Sequence, residues 1–348
     1  MKRESIDVSI ILPCRDPDPA LLTKAVDSVL AQTKGSFELI IVDDGSGSRY
    51  QEVLSRESGR DDRIRLIRQE PSGVSAARNN GIREAEGRYI SLLDADDTVS
   101  PWFLEEALAA AQALAADYLI GGTCYIFKGK TMPSARSAGG LDPIGDAIEL
   151  TRERLPQTKA ECIGSPYRFD ENAYINRGIA ARLVRRDILT SGYLFPEGLR
   201  IAEDASWNLT LVSSDFRGFY VPGIWYYYLE NEKSVSNRYN PDVVRDMEDH
   251  LAVIARQMDL RSDVEYRAYM DLMMDDLRYI SICLVNNPRR KGGAAERRKI
   301  LAHLYRDLPW KMIGDARYRK LAAPKDRYKA VLYRMRLLFV FWSLKKGV

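Results

Sequence analysis

The sequence predicts an α/β protein, a mostly parallel β-sheet with helices on both faces, followed by a helical C-terminal region. Three observations predict it. Short, continuously apolar runs alternate with amphipathic segments over residues 8–127, and strands apolar on both faces belong inside covered parallel sheets. The stretches PCRD, DDGS and DADD each follow such a run, which puts them at strand carboxyl ends, where sheets of this class bind ligands. Beyond residue 241 the apolar spacing is helical almost throughout.

Taken in order, VSIILP (8–13) reads as the first strand, and PALLTKAVDSVLAQT (19–33) as a helix with Leu22, Ala25, Val26, Val29 and Leu30 on one face. FELIIVDD (37–44) is the second strand and YQEVLSRE (50–57) a short helix. IRLIRQ (64–69) is the third strand, followed by a helix through SAARNNGIREA (75–85). RYISLL (88–93) is the fourth strand, after which a helix starts at 101–116 with Ser100 as N-cap and Pro101 at its first position. YLIGGTCYIF (118–127) is the fifth strand. From 128 to about 160 the pattern is lost in a polar, Gly- and Pro-bearing segment, which reads as a loop or small insertion. ARLVRRDIL (181–189) and AEDASWNLTLVSS (202–214) have helical spacing, and FYVPGIWYYYLE (219–230) reads as two short strands around Pro222-Gly223. The predicted division is a sheet domain over 1–236, in two halves (1–127 and 160–236), and a helical region over 237–348.

Composition narrows the function. The chain has 348 residues, 45% of them hydrophobic and 29% charged, as in an ordinary soluble globular protein. A net charge of +3 is too small to indicate a nucleic-acid partner. Cys14, Cys124, Cys162 and Cys283 are scattered without a C-x-x-C pair, so reduced structural thiols in a cytoplasmic setting are expected. His250 and His303 are the only histidines and have no metal-ligand spacing, which argues against zinc or histidine-based catalysis. The start MKRESIDVSI lacks the apolar core of a signal peptide, and no apolar run is long enough to span a membrane.

The chemistry lies at the strand ends. Asp94, Asp96 and Asp97 place three carboxylates within four residues, with no basic side chain beside them in sequence. Such a cluster costs stability unless a cation sits among it; the candidates are a distant Arg, a metal, or no cation at all in a solvated acidic turn. Near a diphosphate, a divalent ion with hard oxygen ligands, Mg²⁺ or Mn²⁺, would meet the requirement. Asp43 and Asp44 end the second strand, and Gly45 permits a sharp exit. A carboxylate there can accept from a nucleobase or ribose, or can simply cap a turn. Glu203 and Asp204 open a helix, where carboxylates complement the dipole. With no usable histidine, one of them is also a candidate general base. Arg78 and Asn79 are candidates to support the donor loop, with an Arg78–Asp43 salt bridge as the alternative. Trp207 is read as core.

VSIILPCRD, ELIIVDDGS, SGVSAARNNGIREAEGRYISLLDADD and IAEDASWNL, in this order, resemble the signature of family 2 glycosyltransferases with the Rossmann-like GT-A fold. The resemblance covers residues 6–130 closely and 175–236 more loosely. It implies a nucleotide-sugar donor, a divalent metal and usually inversion at the anomeric carbon. Carried over by position, it implies donor binding at Pro13, Asp44, Asp94 and Asp96, and Cys14, Arg15, Asp43 and Asn79 join them as candidate donor-binding neighbours. It also implies metal binding at Asp96, Asp94 and Asp97, and a base at Asp204 with Glu203 as its nearest competitor. Arg15 and Asp16 stand where the family commonly has an aromatic residue and Asn, and Arg15 is suited to stack on the base or reach a phosphate. Ser234 and Asn237 are expected near the site, and 165–180 as an acceptor wall.

The C-terminus differs in kind. Basic residues outnumber acidic ones from Lys311 to Val348 and interleave with YKAVLYRMRLLFVFWSL. A helix of that composition can lie on an anionic membrane, with Lys345 and Lys346 adding attraction. It can equally pack on the protein or on another subunit. The expected protein is thus a metal-dependent glycosyltransferase acting on a glycan or lipid-linked glycan, cytoplasmic or peripheral at the inner membrane face. The rivals are a silent glycan-binding scaffold and a sugar nucleotidyltransferase, although PCRDPDP has none of the glycines of the latter's phosphate loop.

Overall fold

The computed structural model describes residues 5–34, 36–127, 130–133, 142–164, 178–229, 239–289 and 293–344. Most of the 165–180 segment, Ser234, Asn237, Lys345 and Lys346 lie outside the described residues. The chain forms two compact units. One comprises Met1–Thr158 and Asp170–Asn231, the other Lys159–Phe169 and Glu232–Val348.

In the first unit β1 (Val8–Cys14), β2 (Phe37–Asp44), β3 (Ile64–Gln69) and β4 (Tyr89–Leu92) run parallel in the order β3-β2-β1-β4. Successive strand residues point to opposite faces, and in β1, β2 and β4 both sets are buried. Val8, Ile10, Leu12, Leu39 and Ile41 pack with Leu22, Val26 and Val29 of α1 (Pro19–Leu30), with Val53 and Leu54 of α2 (Gln51–Ser58), and with the core of α4 (Phe103–Ala113). The alternate residues Ile11 and Val42 meet α3 (Val74–Glu84), so closely that a Cβ on Gly81 would sit 2.4 Å from Ile11 Cγ2. Any larger residue at 81 would push α3 off the sheet.

Beyond β4 the sheet turns mixed, reading β9-β6-β10-β5, with β7 on β6 and β8 on β10. These strands are β5 (Thr98–Val99), β6 (Tyr118–Phe127), β7 (Lys130–Pro133), β8 (Ile148–Glu149), β9 (Arg182–Arg185) and β10 (Gly218–Leu229). The helix expected over 181–189 is therefore half strand. β9 lies antiparallel between β4 and β6, and only Arg186–Thr190 is helical (α6). The two strands expected over 219–230 are one, because β10 absorbs Pro222-Gly223 in a register jump between Val221 and Ile224. The helix expected from 101 starts at Phe103, because Thr98 and Val99 are held extended against Tyr227 and Tyr226. Within the 128–160 segment β7, β8 and a helix, α5 (Leu155–Cys162), are formed.

The second unit is helical in its described residues. Its helices are α8 (Val243–Gln257), α9 (Asp263–Ile280), α10 (Ala294–Arg306), α11 (Ala316–Leu321), α12 (Pro324–Arg334) and α13 (Leu338–Leu344), with α7 (Glu203–Val212) belonging to the first unit. α8 buries Val243, Met247, Leu251 and Ile254, a helical stripe. α9 starts with a side-chain cap, Ser262 accepting from the Glu265 amide, and Glu265 Oε2 accepts from the Asp259 amide at 2.7 Å, tying down the preceding turn. The four cysteines are buried and unbridged. Among the described residues no helix is long and apolar enough to cross a membrane.

Candidate active site

The site is assembled at the carboxyl ends of β1, β2 and β4. At β1, Pro13 and Cys14 are buried and pair in register with Val42 and Asp43. Burial and the nearby carboxylates of Asp43 and Asp44 push the Cys14 thiol up to about 12. It stays protonated at neutral pH and is no nucleophile. Arg15 is exposed beyond the strand. Asp16, at φ 49°, ties this loop to the next, since its Oδ1 accepts from the Gly47 amide at 2.9 Å.

At β2 the acidic pair is engaged by its own surroundings. Asp43 accepts from the Ser46 amide at 2.9 Å and from Gln51 Nε2 at 3.3 Å. Asp44 accepts from the Ser72 amide (2.7 Å), the Gly73 amide (2.9 Å) and Gln69 Nε2 (2.8 Å). Asp44 thus fixes the turn that leads into α3 at Gly73. Gly45 has φ 73°, and a Cβ there would lie 2.4 Å from Pro71 Cγ, so only glycine lets the two loops touch.

At β4 the three carboxylates part company. Asp97 is buried. Its Oδ2 accepts from the Tyr226 hydroxyl at 2.7 Å and its Oδ1 from the Leu229 amide at 2.9 Å. Burial, reinforced by the charge of Asp94, pushes its carboxyl up to about 8 against the pull of those two donors. Tyr226 also accepts from the Asp94 amide at 3.2 Å, so it pins both ends of the acidic turn. Asp94 and Asp96 are half-buried at the mouth. Tyr228, 40% exposed beside them, packs against Tyr125 with ring centroids 5.6 Å apart.

The counter-charge invisible in the local sequence is Arg78. Its guanidinium, 5% exposed, reaches Asp94 Oδ1 at 3.1 Å and Glu203 Oε1 at 2.7 Å. Burial alone would lower its pKa, but Asp94, Glu203 and Asp204 hold it above its usual value. The Arg78–Asp43 alternative is not realised: Arg78 pairs across to β4 and to the start of α7. Asn79, expected at the donor, is buried; its amide donates to Phe195 O (3.0 Å) and Glu197 Oε1 (2.9 Å) and accepts from the Phe195 amide (2.8 Å). Two adjacent residues of α3 therefore clamp the segment that delivers Glu203 and Asp204.

Phe195 completes that clamp. Its ring lies 5.1 Å from the Arg78 guanidinium and stacks on Trp207 at 4.6 Å. Sequence reasoning missed Phe195; a lone Phe before Pro196 carries no motif. Trp207 is core, as read, and donates to Tyr193 O at 2.9 Å. Immediately before Glu203, Ala202 sits in the left-handed region at φ 56°, an unfavourable conformation for a residue with a Cβ. Asp204 Oδ1 accepts from the Ala205 amide at 2.7 Å.

Mg²⁺ and Mn²⁺ are bound through one or two carboxylates, with substrate phosphate oxygens and water completing the shell. Asp94 and Asp96 fit that donor set. Asp97 already has a protein donor on each oxygen. Among the described residues no three His, Cys, Asp or Glu side chains converge on a preformed metal cage.

Comparison with known proteins places this arrangement. Residues 9–183 match the family model described as Glycosyl transferase family 2. The chain is 30% identical over 246 residues to the uncharacterized glycosyltransferase EpsJ of Bacillus subtilis, covering 70% of this chain and 66% of EpsJ. It is 32% identical over 114 residues to the glycosyltransferase GlyA of Streptococcus pneumoniae, 33% of this chain but only 16% of GlyA. Against S. aureus TarS 1–349 the TM-score is 0.61 at 17% identity, over 97% of this chain and 89% of that one, a likeness of fold. A crystal structure of the same TarS fragment in complex with UDP-GlcNAc superposes with a TM-score of 0.60, covering 97% and 89%. With half its length inside the family model and the acidic strand ends assembled on one sheet, the chain belongs to glycosyl transferase family 2.

Proposed function

We propose that the protein transfers a sugar from a nucleotide diphosphate donor, of the UDP-sugar class, to a hydroxyl of a glycan or lipid-linked glycan, with inversion. The observation that carries this reading is the Arg78 bridge. It joins Asp94, just beyond β4, to Glu203 at the start of α7, 125 residues from Arg78, so the donor end and the candidate base share one small volume. The UDP class draws support from the UDP-GlcNAc complex of TarS. Pro13, Cys14 and Arg15 would border the nucleotide, and Asp43 and Asp44 would shape its loop through the amides they hold. Mn²⁺ or Mg²⁺, held by Asp96 and Asp94, would supply Lewis-acid stabilisation of the departing diphosphate.

Proton removal falls to α7. Glu203 is committed to a buried guanidinium at 2.7 Å, so its Oε1 is already engaged by the protein. Asp204, one residue on, is the better base. Asp97 anchors the turn through Tyr226. Replacing Asp204 by Asn keeps size and hydrogen bonding but removes the basic oxygen, so transfer should fall by about 10²–10⁴-fold. Binding of UDP should barely change. Glu203→Gln should do less harm to transfer, since its amide oxygen still accepts from Arg78. Transfer rates and calorimetric UDP affinity for both variants test this, and near-normal transfer by Asp204→Asn would refute the assignment. A silent scaffold would bind neither UDP nor Mn²⁺.

A further inference from the structure

The last two helices of the second unit present a surface that the transfer chemistry does not use. Their inner sides are fixed. Leu338 and Phe339 are buried, the Phe339 ring lies 5.8 Å from Tyr305 at 90°, and Tyr333 donates from its hydroxyl to Leu304 O at 2.6 Å. Their outer sides remain uncovered. On α12, Tyr328, Val331 and Met335 are exposed, at the spacing of one helical stripe. Leu337, Val340 and Leu344 repeat that spacing along α13, with Leu344 77% exposed. The Tyr328 and Phe341 rings meet edge-on at 5.8 Å, which brings the two stripes side by side.

The charge around these stripes has one sign. Lys325, Arg327, Arg334 and Arg336 are exposed among the apolar positions. The one acid in 324–344, Asp326, is fully buried and paired with Lys329 at 3.0 Å. Arg336 stands at the turn between the helices with φ 59°, a conformation that a non-glycine residue adopts only when its surroundings hold it there.

We infer that the outer face of α12 and α13 docks on an anionic lipid surface. Short aliphatic stripes suit shallow insertion at the headgroup boundary, and long cationic stems can lie along them with their heads among phosphates. A second copy of this chain is a poor occupant. A two-fold contact sets a patch against itself, and this one would oppose arginine to arginine across apolar contacts. Neither helix crosses the bilayer: α12 and α13 have 11 and 7 residues, so the face lies on the membrane.

Flotation of the full chain tests the inference. Vesicles of phosphatidylglycerol and phosphatidylcholine in equal parts should carry the protein at low salt, and phosphatidylcholine alone should not. The double reversal Arg334→Glu/Arg336→Glu should weaken binding at least about tenfold, since each basic residue at a lipid surface contributes about 1 kcal/mol. Met335→Gln/Leu344→Gln should remove the part of the binding that survives about 0.5 M salt, where screening is severe. In the unaltered chain, brominated lipid should quench part of the tryptophan fluorescence, and Trp342→Phe should abolish that quenching. UDP affinity and melting temperature should stay unchanged in the charge-reversal and glutamine variants, because Arg334, Met335, Arg336 and Leu344 are exposed. Indifference of the intact chain to anionic vesicles at low salt would overturn the inference. Concentration-dependent dimerisation abolished by Met335→Gln, without vesicle binding, would assign the face to a second copy.

Discussion

β2 and β4 flank β1 on either side, and both end in carboxylates, Asp43-Asp44 at one and Asp94, Asp96 and Asp97 at the other. In the sequence the two ends look alike. In the fold the β2 pair is met by neutral donors of its own neighbourhood, the Ser46, Ser72 and Gly73 amides and two glutamines. The β4 set is met by a buried guanidinium and a buried tyrosine from elsewhere in the chain. Backbone amides fix a carboxylate and build a loop. A cation shared with another carboxylate leaves negative charge directed at the mouth, where the proposed metal and diphosphate would meet it. Acidity at a strand end is therefore not the mark of the site; the origin of its partner is.

The largest effect should come from exchanging a charge at each end in turn. Asp96→Asn should abolish Mn²⁺-dependent UDP affinity, whereas Asp43→Asn should leave most of it, both read by calorimetry with the metal present. Unchanged affinity in Asp96→Asn would erase the distinction between the ends. Next comes the shared cation. Arg78→Met strands Glu203 in a mostly buried position, and breaking such a pair by removing one partner costs about 3–5 kcal/mol. The partial exposure of Asp94 puts the expectation near the lower figure. Adding Glu203→Gln should recover part of the loss in urea unfolding. Full additivity would mean that the two residues do not act as a pair. The smallest effect belongs to the amide-held end. Asp44→Asn turns one acceptor into a donor that faces amide donors, and should cost about 1–3 kcal/mol of stability, while UDP affinity falls far less than in Asp96→Asn.

β1, β2 and β4 were legible because each is buried on both faces, and β3, IRLIRQ, because its apolar residues recur although most of it is only half-buried. β9 was not. RLVR carries two arginines, and its burial depends on Arg182 finding Asn208 Oδ1 at 3.2 Å, a partner that no local pattern announces. β10 looked broken because Pro222-Gly223 ordinarily ends a strand, and the bulge that rescues it is set by pairing with β6. At the site, the acidic residues were readable as residue types, and the resemblance ordered them. The cation was not readable, since Arg78 is 16 residues from Asp94 and 125 from Glu203. The clamp made by Asn79 on Phe195 was hidden for the same reason. Long-range pairing of isolated polar residues leaves no periodicity to read.

The position of β9 also bears on how the chain is made. β6 ends at Phe127, yet the strand that fills the gap between it and β4 begins at Arg182. At a synthesis rate of about 5–20 residues per second, the ribosome needs roughly 3–10 s to produce the intervening segment. During that interval the nascent sheet has two unpaired apolar edges facing one another, each a template for wrong pairing. The family-model match ends at residue 183, inside the closing strand, so a fragment cut at that boundary would lack part of the strand that closes the sheet. A chain truncated just before residue 182 should aggregate or recruit chaperones, and one that runs past 185 can shut its own seam.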